Sequence, residues 1–283
     1  MTDTSPESGK KLFYGLFIFP LVIAVGMAVL LCTVVLMTHE KETPENLLEG
    51  LKKSSPSKRW QKAFELSNEI NRDPRVAQNP AIYREMIQIL GDGQRYDAKT
   101  RSYMALALAR QRSDEAMVAL EEALDDEAEE VRVHALWSLG VAGRTQATGR
   151  IESMLKSDSV ETRKTAAYVL GALGSFGSSA ALKKMLDDPA VDARWNSALA
   201  LARLGSSDGY EVLLSMLERE QLSRAPGMDE SKIEHAMINA MKGLVLIPKA
   251  ESIKILETIS KEDKNLRVRQ ASLESLKILE KKI

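Results

Sequence analysis

The sequence predicts an all-α chain, in which one membrane-crossing helix precedes an α-solenoid of about seven helix pairs. Three observations carry this. Residues 12–37 hold no charged side chain, an arginine-centred motif returns every 31 residues, and aromatic residues make up only 5% of the 283. The last favours helix over sheet, because Ala, Leu, Glu, Lys, Arg and Met abound instead. Charge is nearly balanced, with 39 Lys+Arg against 40 Asp+Glu. A dedicated nucleic-acid binder usually carries a basic excess, so no nucleic-acid partner is expected. One cysteine excludes a disulfide framework, and three histidines leave little for metal chemistry.

The apolar run follows a short tail, residues 1–11. As a helix, residues 12–37 would span ~39 Å at 1.5 Å per residue, against a bilayer core of ~30 Å. Pro20 and Gly26 lie inside it, which membrane helices tolerate. A signal peptide has a shorter apolar core and a small-residue cleavage site. Thr38-His39-Glu40 offers no such site, and Leu31 precedes Cys32 where a lipoprotein signal needs a small residue. The segment is therefore read as an uncleaved anchor in the cell (inner) membrane. Lys10 and Lys11 abut it, whereas the far side mixes Lys41 and Lys52 with acids. Bases near the ends set orientation, so the long C-terminal part is expected outside the cytoplasm. Residues 38–44 read as a linker.

The repeat is legible in columns. Arg132, Arg163 and Arg194 are 31 residues apart; seven residues after each come Leu139, Leu170 and Leu201, and eleven after come Gly143, Gly174 and Gly205. Leu124, Leu155 and Leu186 stand eight before. The register extends to Arg59, Arg101, Glu234 and Arg269, which makes seven units over residues 45–283. Two longer spacings read as loops, at Asn71-Arg72-Asp73-Pro74 and at Ser223 to Asp229. Offsets −1, +3, +4, +7, +10 and +11 from the arginine share one face of a helix. A shorter helix precedes each, ending near Asp125-Asp126, Ser157-Asp158 or Asp187-Asp188.

The unit L-x-x-x-x-x-x-x-R-x-x-A-x-x-x-L-x-x-L-G, as at Leu155 to Gly174, resembles the HEAT repeat, closest to the short bacterial form also seen in phycobilisome lyases. The resemblance implies a right-handed α-solenoid that binds protein partners, with the second helices on its concave side. Asp126, Asp188 and Asp263 stand six residues before Arg132, Arg194 and Arg269. With Arg163, they look like the family's Asp-Arg ladder, in which arginines join neighbouring repeats.

Some relatives of this kind are enzymes. The iron-dependent hydroxylases use His-Glu pairs in several repeats, but here His134 and His235 are each followed by alanine. No phosphate loop and no G-x-S-x-G turn is present. Neither catalysis nor a cofactor is expected, although the arginine row has an alternative reading as an anion site. Trp60, Phe64, Trp137, Tyr168 and Trp195 occupy offsets +1 and +5 of the second helices. They form either an aromatic stripe suited to a partner segment or packing between adjacent helices. The nine acids from Asp114 to Glu130, with no base among them, are either a solvated helix or a docking surface for a basic partner.

The function expected is a membrane-anchored, non-catalytic scaffold or adaptor for a protein partner, possibly a membrane complex. The alternative is an assembly or maturation factor with weak lyase-like activity. A shallow aromatic groove points to the first, and a deep pocket of converging polar groups to the second. The oligomeric state is left open by the sequence.

Overall fold

The computed structural model describes residues 14–38, 43–73, 79–111 and 113–283. It divides into two compact units, Met1–Thr43 and Pro44–Ile283. In the first, a π-helical turn, Tyr14–Ile18, leads into α1, Phe19–Thr38. Tyr14–Val34 is long and apolar enough to cross a membrane, a test that a signal sequence also passes. Pro20 is the second residue of α1, directly after the π-helical turn, and membrane helices tolerate such a proline. Lys10 and Lys11, Leu12 and Phe13, and residues 39–42 of the expected linker lie outside the described residues.

The second unit is a row of helix pairs. They are α2 (Pro44–Lys53) with α3 (Pro56–Arg72), α4 (Pro80–Gly91) with α5 (Ala98–Leu108), and α6 (Asp114–Glu122) with α7 (Glu129–Ala142). Next come α8 (Thr148–Ser153) with α9 (Val160–Ala172), and α10 (Ser179–Lys184) with α11 (Val191–Arg203). In the sixth pair, α12 (Tyr210–Ser215) is separated from α14 (Glu230–Leu246) by an extra helix, α13 (Arg219–Arg224). The seventh is α15 (Ala250–Glu262) with α16 (Leu266–Leu279). Each second helix packs against the next, in the order α3, α5, α7, α9, α11, α14, α16. No strand occurs among the described residues.

The recurring leucine and glycine are two ends of one local structure. Gly143, Gly174 and Gly205 have φ of 69°, 69° and 75°, a left-handed conformation that glycine adopts without a Cβ penalty. The residue after each glycine then donates its N–H back to the recurring leucine: Arg144 to Leu139 O at 3.1 Å, Ser175 to Leu170 O at 3.1 Å and Ser206 to Leu201 O at 2.9 Å. This Schellman closure satisfies carbonyls that a helix end leaves bare. It also turns the chain sharply enough to start the next short helix.

The apolar faces of the two helices in a pair meet those of the neighbouring pairs. Leu124, Val131, Ala135, Leu139, Ile151, Ala166 and Leu170 are all fully shielded or nearly so. The buried residues fall into two clusters that divide within α11. Ala193, Ala200 and Leu201 belong to the N-terminal cluster, Ala198 and Ala202 to the C-terminal one. Both insertions hold more helix than the sequence predicts. Asn71 and Arg72 complete α3, with the Asn71 amide 3.4 Å from Ser67 Oγ and Arg72 paired to Glu69. Pro74 lies outside the described residues. Ser223 and Arg224 belong to α13, so the second connection is shorter than Ser223 to Asp229. Neither segment has a counterpart in the other units, so periodicity could not place its helix.

Two second helices approach each other closely at Gly171. A Cβ there would lie 2.6 Å from Ala200 Cα and 2.7 Å from Ala200 Cβ, so α9 and α11 would have to separate. Gly149, within α8, has nothing within 4 Å of such a Cβ. Gly171→Ala is therefore expected to destabilise the chain by ~1–3 kcal/mol through overpacking. Gly149→Ala is expected to leave stability unchanged or raise it by up to ~1 kcal/mol. Thermal or denaturant melts of the two variants check this, and equal effects would remove close approach as the reason for Gly171.

Candidate protein-binding surface

The recurring arginines and aspartates lie along one edge of the solenoid, where each second helix begins. Asp126, Asp188 and Asp263 do two things each. A carboxylate oxygen accepts the main-chain N–H two residues on, at 2.8 Å in all three cases. The carboxylate also takes the guanidinium of a preceding unit. Arg101 pairs with Asp126, Arg163 grips Asp188 through Nε and Nη2 at 2.7 and 3.0 Å, and Arg219 grips Asp263 at 2.7 and 2.9 Å. Arg132, Arg194 and Arg269 instead donate to the carbonyls of Asp126, Asp188 and Asp263, each at 2.7 Å and within its own turn. Arg163 does both, also reaching Ser157 O at 2.8 Å. The inter-unit bond to Arg163 holds the Asp188 carboxyl below its ordinary range, and Asp188 in turn raises Arg163.

The ladder skips a rung where the sequence lacks an acid. Six residues before Arg163 stands Ser157, not aspartate, and the buried Nε of Arg132 finds no partner. It reverses sign at Glu234, the sixth unit's residue in the arginine column. Glu234 accepts from Asn265 Nδ2 at 2.9 Å and from Arg267 at 3.2 Å, and these two donors hold its carboxyl below the usual range. Arg219, in the inserted α13, supplies the cation that Glu234 displaced. These contacts tie arginines to acids and carbonyls of the solenoid itself, which leaves little of them for an external anion.

Four further acids of the stretch pair in the same way as Asp126. Asp114 and Glu121 both face Arg144, at 3.1 and 3.5 Å, Asp125 pairs with Arg150 at 2.6 Å and Glu115 with Arg84 at 3.3 Å. His134 is half-buried, and burial lowers its pKa so that it is neutral at neutral pH. His235 is exposed. Among the described residues no group of three His, Cys, Asp or Glu side chains is placed to hold a metal.

The five aromatics separate into distinct environments. Phe64 is 43% exposed and meets the Tyr103 ring edge-on at 5.3 Å. Trp60 is half-buried under Lys99 Nζ, 3.5 Å from its ring centre. Trp137, 38% exposed, lies 4.8 Å from Tyr168, and Arg203 covers Tyr168 at 4.6 Å. Trp195 packs instead against the C-terminal core and walls a cavity of about 300 Å³ with Leu222, Pro226 and Met228 of the insertion. Trp137, Tyr168 and Arg203 thus form one surface run over three successive second helices, and Trp195 is not part of it. Beyond Arg203 the run continues into a cavity of about 340 Å³ between α9, α11 and α14. A larger one, about 760 Å³ and mostly apolar, follows between α14 and α16.

Models of HEAT repeats match residues 83–167 and 147–225, which together span half the chain. The chain belongs to the HEAT-repeat family. Among solved structures, the complex of CpcE and CpcF of phycocyanin lyase from Nostoc sp. PCC7120 is similar. Identity is 18%, with 86% of this chain and 96% of that chain covered and a TM-score of 0.54. An archaeal HEAT-like repeats protein from Thermococcus onnurineus NA1 covers 86% of this chain and 99% of its own, at 15% identity and a TM-score of 0.45. At such identities the likeness is one of fold. No curated protein matches the chain.

Relative to the regular HEAT unit, sequence reasoning missed Arg219, Tyr103 and Arg203. Arg219 lies in the insertion and outside every column. Tyr103 sits at +2 rather than +5. Arg203 shares the +9 column with Val141 and Ala172, and its only signal was a cation one turn beyond an aromatic position.

Arg163→Ala is expected to cost ~3 kcal/mol, because it strands a buried carboxylate. The same change at Arg194, which holds carbonyls only, should cost ~1 kcal/mol. Asp188 adds a pH dependence. Its folded pKa lies below its unfolded value, so its contribution is full above the unfolded value of ~3.9 and disappears as pH falls through the folded one. An acid melt of Asp188→Asn should therefore be flatter below about pH 4 than that of the parent. Parallel acid limbs would show that the pair carries no linkage.

Proposed function

We propose that this HEAT-repeat protein is a membrane-tethered, non-catalytic adaptor that holds a protein partner along its second-helix face. The observation that carries the reading is the continuous run Trp137–Tyr168–Arg203, which opens into the two cavities bounded by α14. Exposed aromatic side chains on rigid helices bind at little entropic cost. HEAT and armadillo-like repeats are typical of protein-binding scaffolds, and the fold supplies such a surface without any chemistry. The cavities are open and their walls are helix faces, which suits a lying segment better than an enclosed substrate. The apolar helix at Tyr14–Val34 supports a tether in the cell membrane, and the Lys10-Lys11 pair in the sequence favours an orientation with the solenoid outside the cytoplasm. A membrane complex is the natural partner for a solenoid held at that surface.

A photo-crosslinking residue at position 137 of the intact chain should capture a partner that the same probe at exposed Val118, on the first-helix side, does not. Trp137→Ala should lower stability by only ~1 kcal/mol, the worth of one aromatic pair, while weakening the captured complex by ~2 kcal/mol or more. Trp195→Ala, in contrast, should cost ~3 kcal/mol of stability. Capture that merely tracks the folded fraction in both variants would remove the surface reading. A reporter fused after Ile283 should be active only in an extracytoplasmic assay, and cytoplasmic activity would reverse the orientation.

A further inference from the structure

We propose that the second-helix face accepts an acidic, extended segment of its protein partner, whose carboxylates are held by Arg203 and Lys242. The inference rests on that face being the binding surface and adds the chemistry of the occupant.

The cavity of about 340 Å³ is lined by Tyr168, Leu199, Arg203, Asn239, Lys242 and Leu246, among others, and no carboxylate lines it. Elsewhere in the solenoid several arginines that reach a neighbouring unit find an acid there, as Arg101, Arg144, Arg150, Arg163 and Arg219 do, while Arg59 and Arg110 reach a carbonyl and an amide oxygen. Arg203 and Lys242 have no ion-pair partner among the described residues. Two like charges facing one recess are unfavourable until an anion lies between them. Arg203 is also prepared for one. Its guanidinium rests on the Tyr168 ring at 4.6 Å, which restrains a planar fork whose donors match a carboxylate. Asn239 adds an amide that both donates and accepts, suited to the main chain of an extended segment.

Lys242 also borders the larger cavity, whose wall includes Ile238, Val245, Ala271 and Ile278. Apolar residues next to acidic ones would therefore be seated together. A phosphate polymer fits less well. It needs a track of cations, whereas the larger cavity carries Glu274, and Arg267 there is already paired with Glu234. The chain as a whole has a net charge of −1.

The test uses the full chain in phosphatidylcholine nanodiscs and a display library of short, fully randomised peptides. Recovered pools are sequenced for the parent, for Arg203→Glu/Lys242→Glu and for Arg203→Gln/Lys242→Gln. Arg203 and Lys242 are exposed, so all three should stay folded, with melting lowered in both variants only by the loss of the Arg203–Tyr168 contact. The parent pool should be enriched in Asp and Glu beside apolar residues. The reversed variant should lose that enrichment in favour of Lys and Arg, and the neutral variant should show neither. A peptide from the parent pool should bind the reversed variant at least about tenfold more weakly. Recovered peptides without acidic enrichment, or an enrichment unchanged by charge reversal, would overturn the inference and leave the surface reading standing. Failure of the parent to recover any peptide would overturn both.

Discussion

A pair of helices of this length cannot bury its own apolar faces, and the rest of the structure follows from that. Six-residue first helices such as α8, α10 and α12 are too short to be stable alone in water. Ile151, Leu182 and Leu213 on these helices are shielded only because neighbouring pairs stand on either side. Stability therefore belongs to the interfaces between units, and each inner unit contributes to two of them. The Gly–Leu closures and the close approach at Gly171 exist to bring successive second helices into contact. The same stacking leaves one side of those helices facing outward, where Trp137, Tyr168 and Arg203 follow one another.

The aspartates at the head of the second helices act as pins across these interfaces. Each fixes its own turn by accepting a main-chain N–H and then accepts a guanidinium from the unit before. Buried ion pairs of this kind add little net stability over a good apolar contact, but they set the register of one unit on the next. The sixth unit shows that the constraint is on position in space. When Glu234 takes the arginine's place, an arginine from an inserted helix reaches the waiting Asp263, and Glu234 finds Asn265 and Arg267 instead.

Features repeated by the same local geometry were legible in the sequence. The glycine column requires left-handed backbone, the leucine column supplies the carbonyl that closes the turn, and both recur at 31 residues. The three central helix pairs follow from those columns, and the arginine register carries the number to seven. What depends on contacts between units was less legible. Ser157 interrupts the ladder, so Arg132 and Arg163 share a column and differ in partners. Trp137 and Trp195 share residue type and helix face in one dimension, yet the insertion partly covers Trp195 and leaves Trp137 at the surface. The acidic stretch reads as one block in sequence, but in space five of its nine acids pair with arginines of flanking units.

If interfaces carry the stability, the solenoid should open in pieces, with a boundary where the buried clusters divide in α11. Native-state hydrogen exchange on the intact chain, followed through rising denaturant, tests this most directly. The account predicts that amides of α14, α15 and α16 become exchangeable together, at lower denaturant than those of α7 and α9. A single opening in which all seven units lose protection at the same denaturant concentration would contradict it.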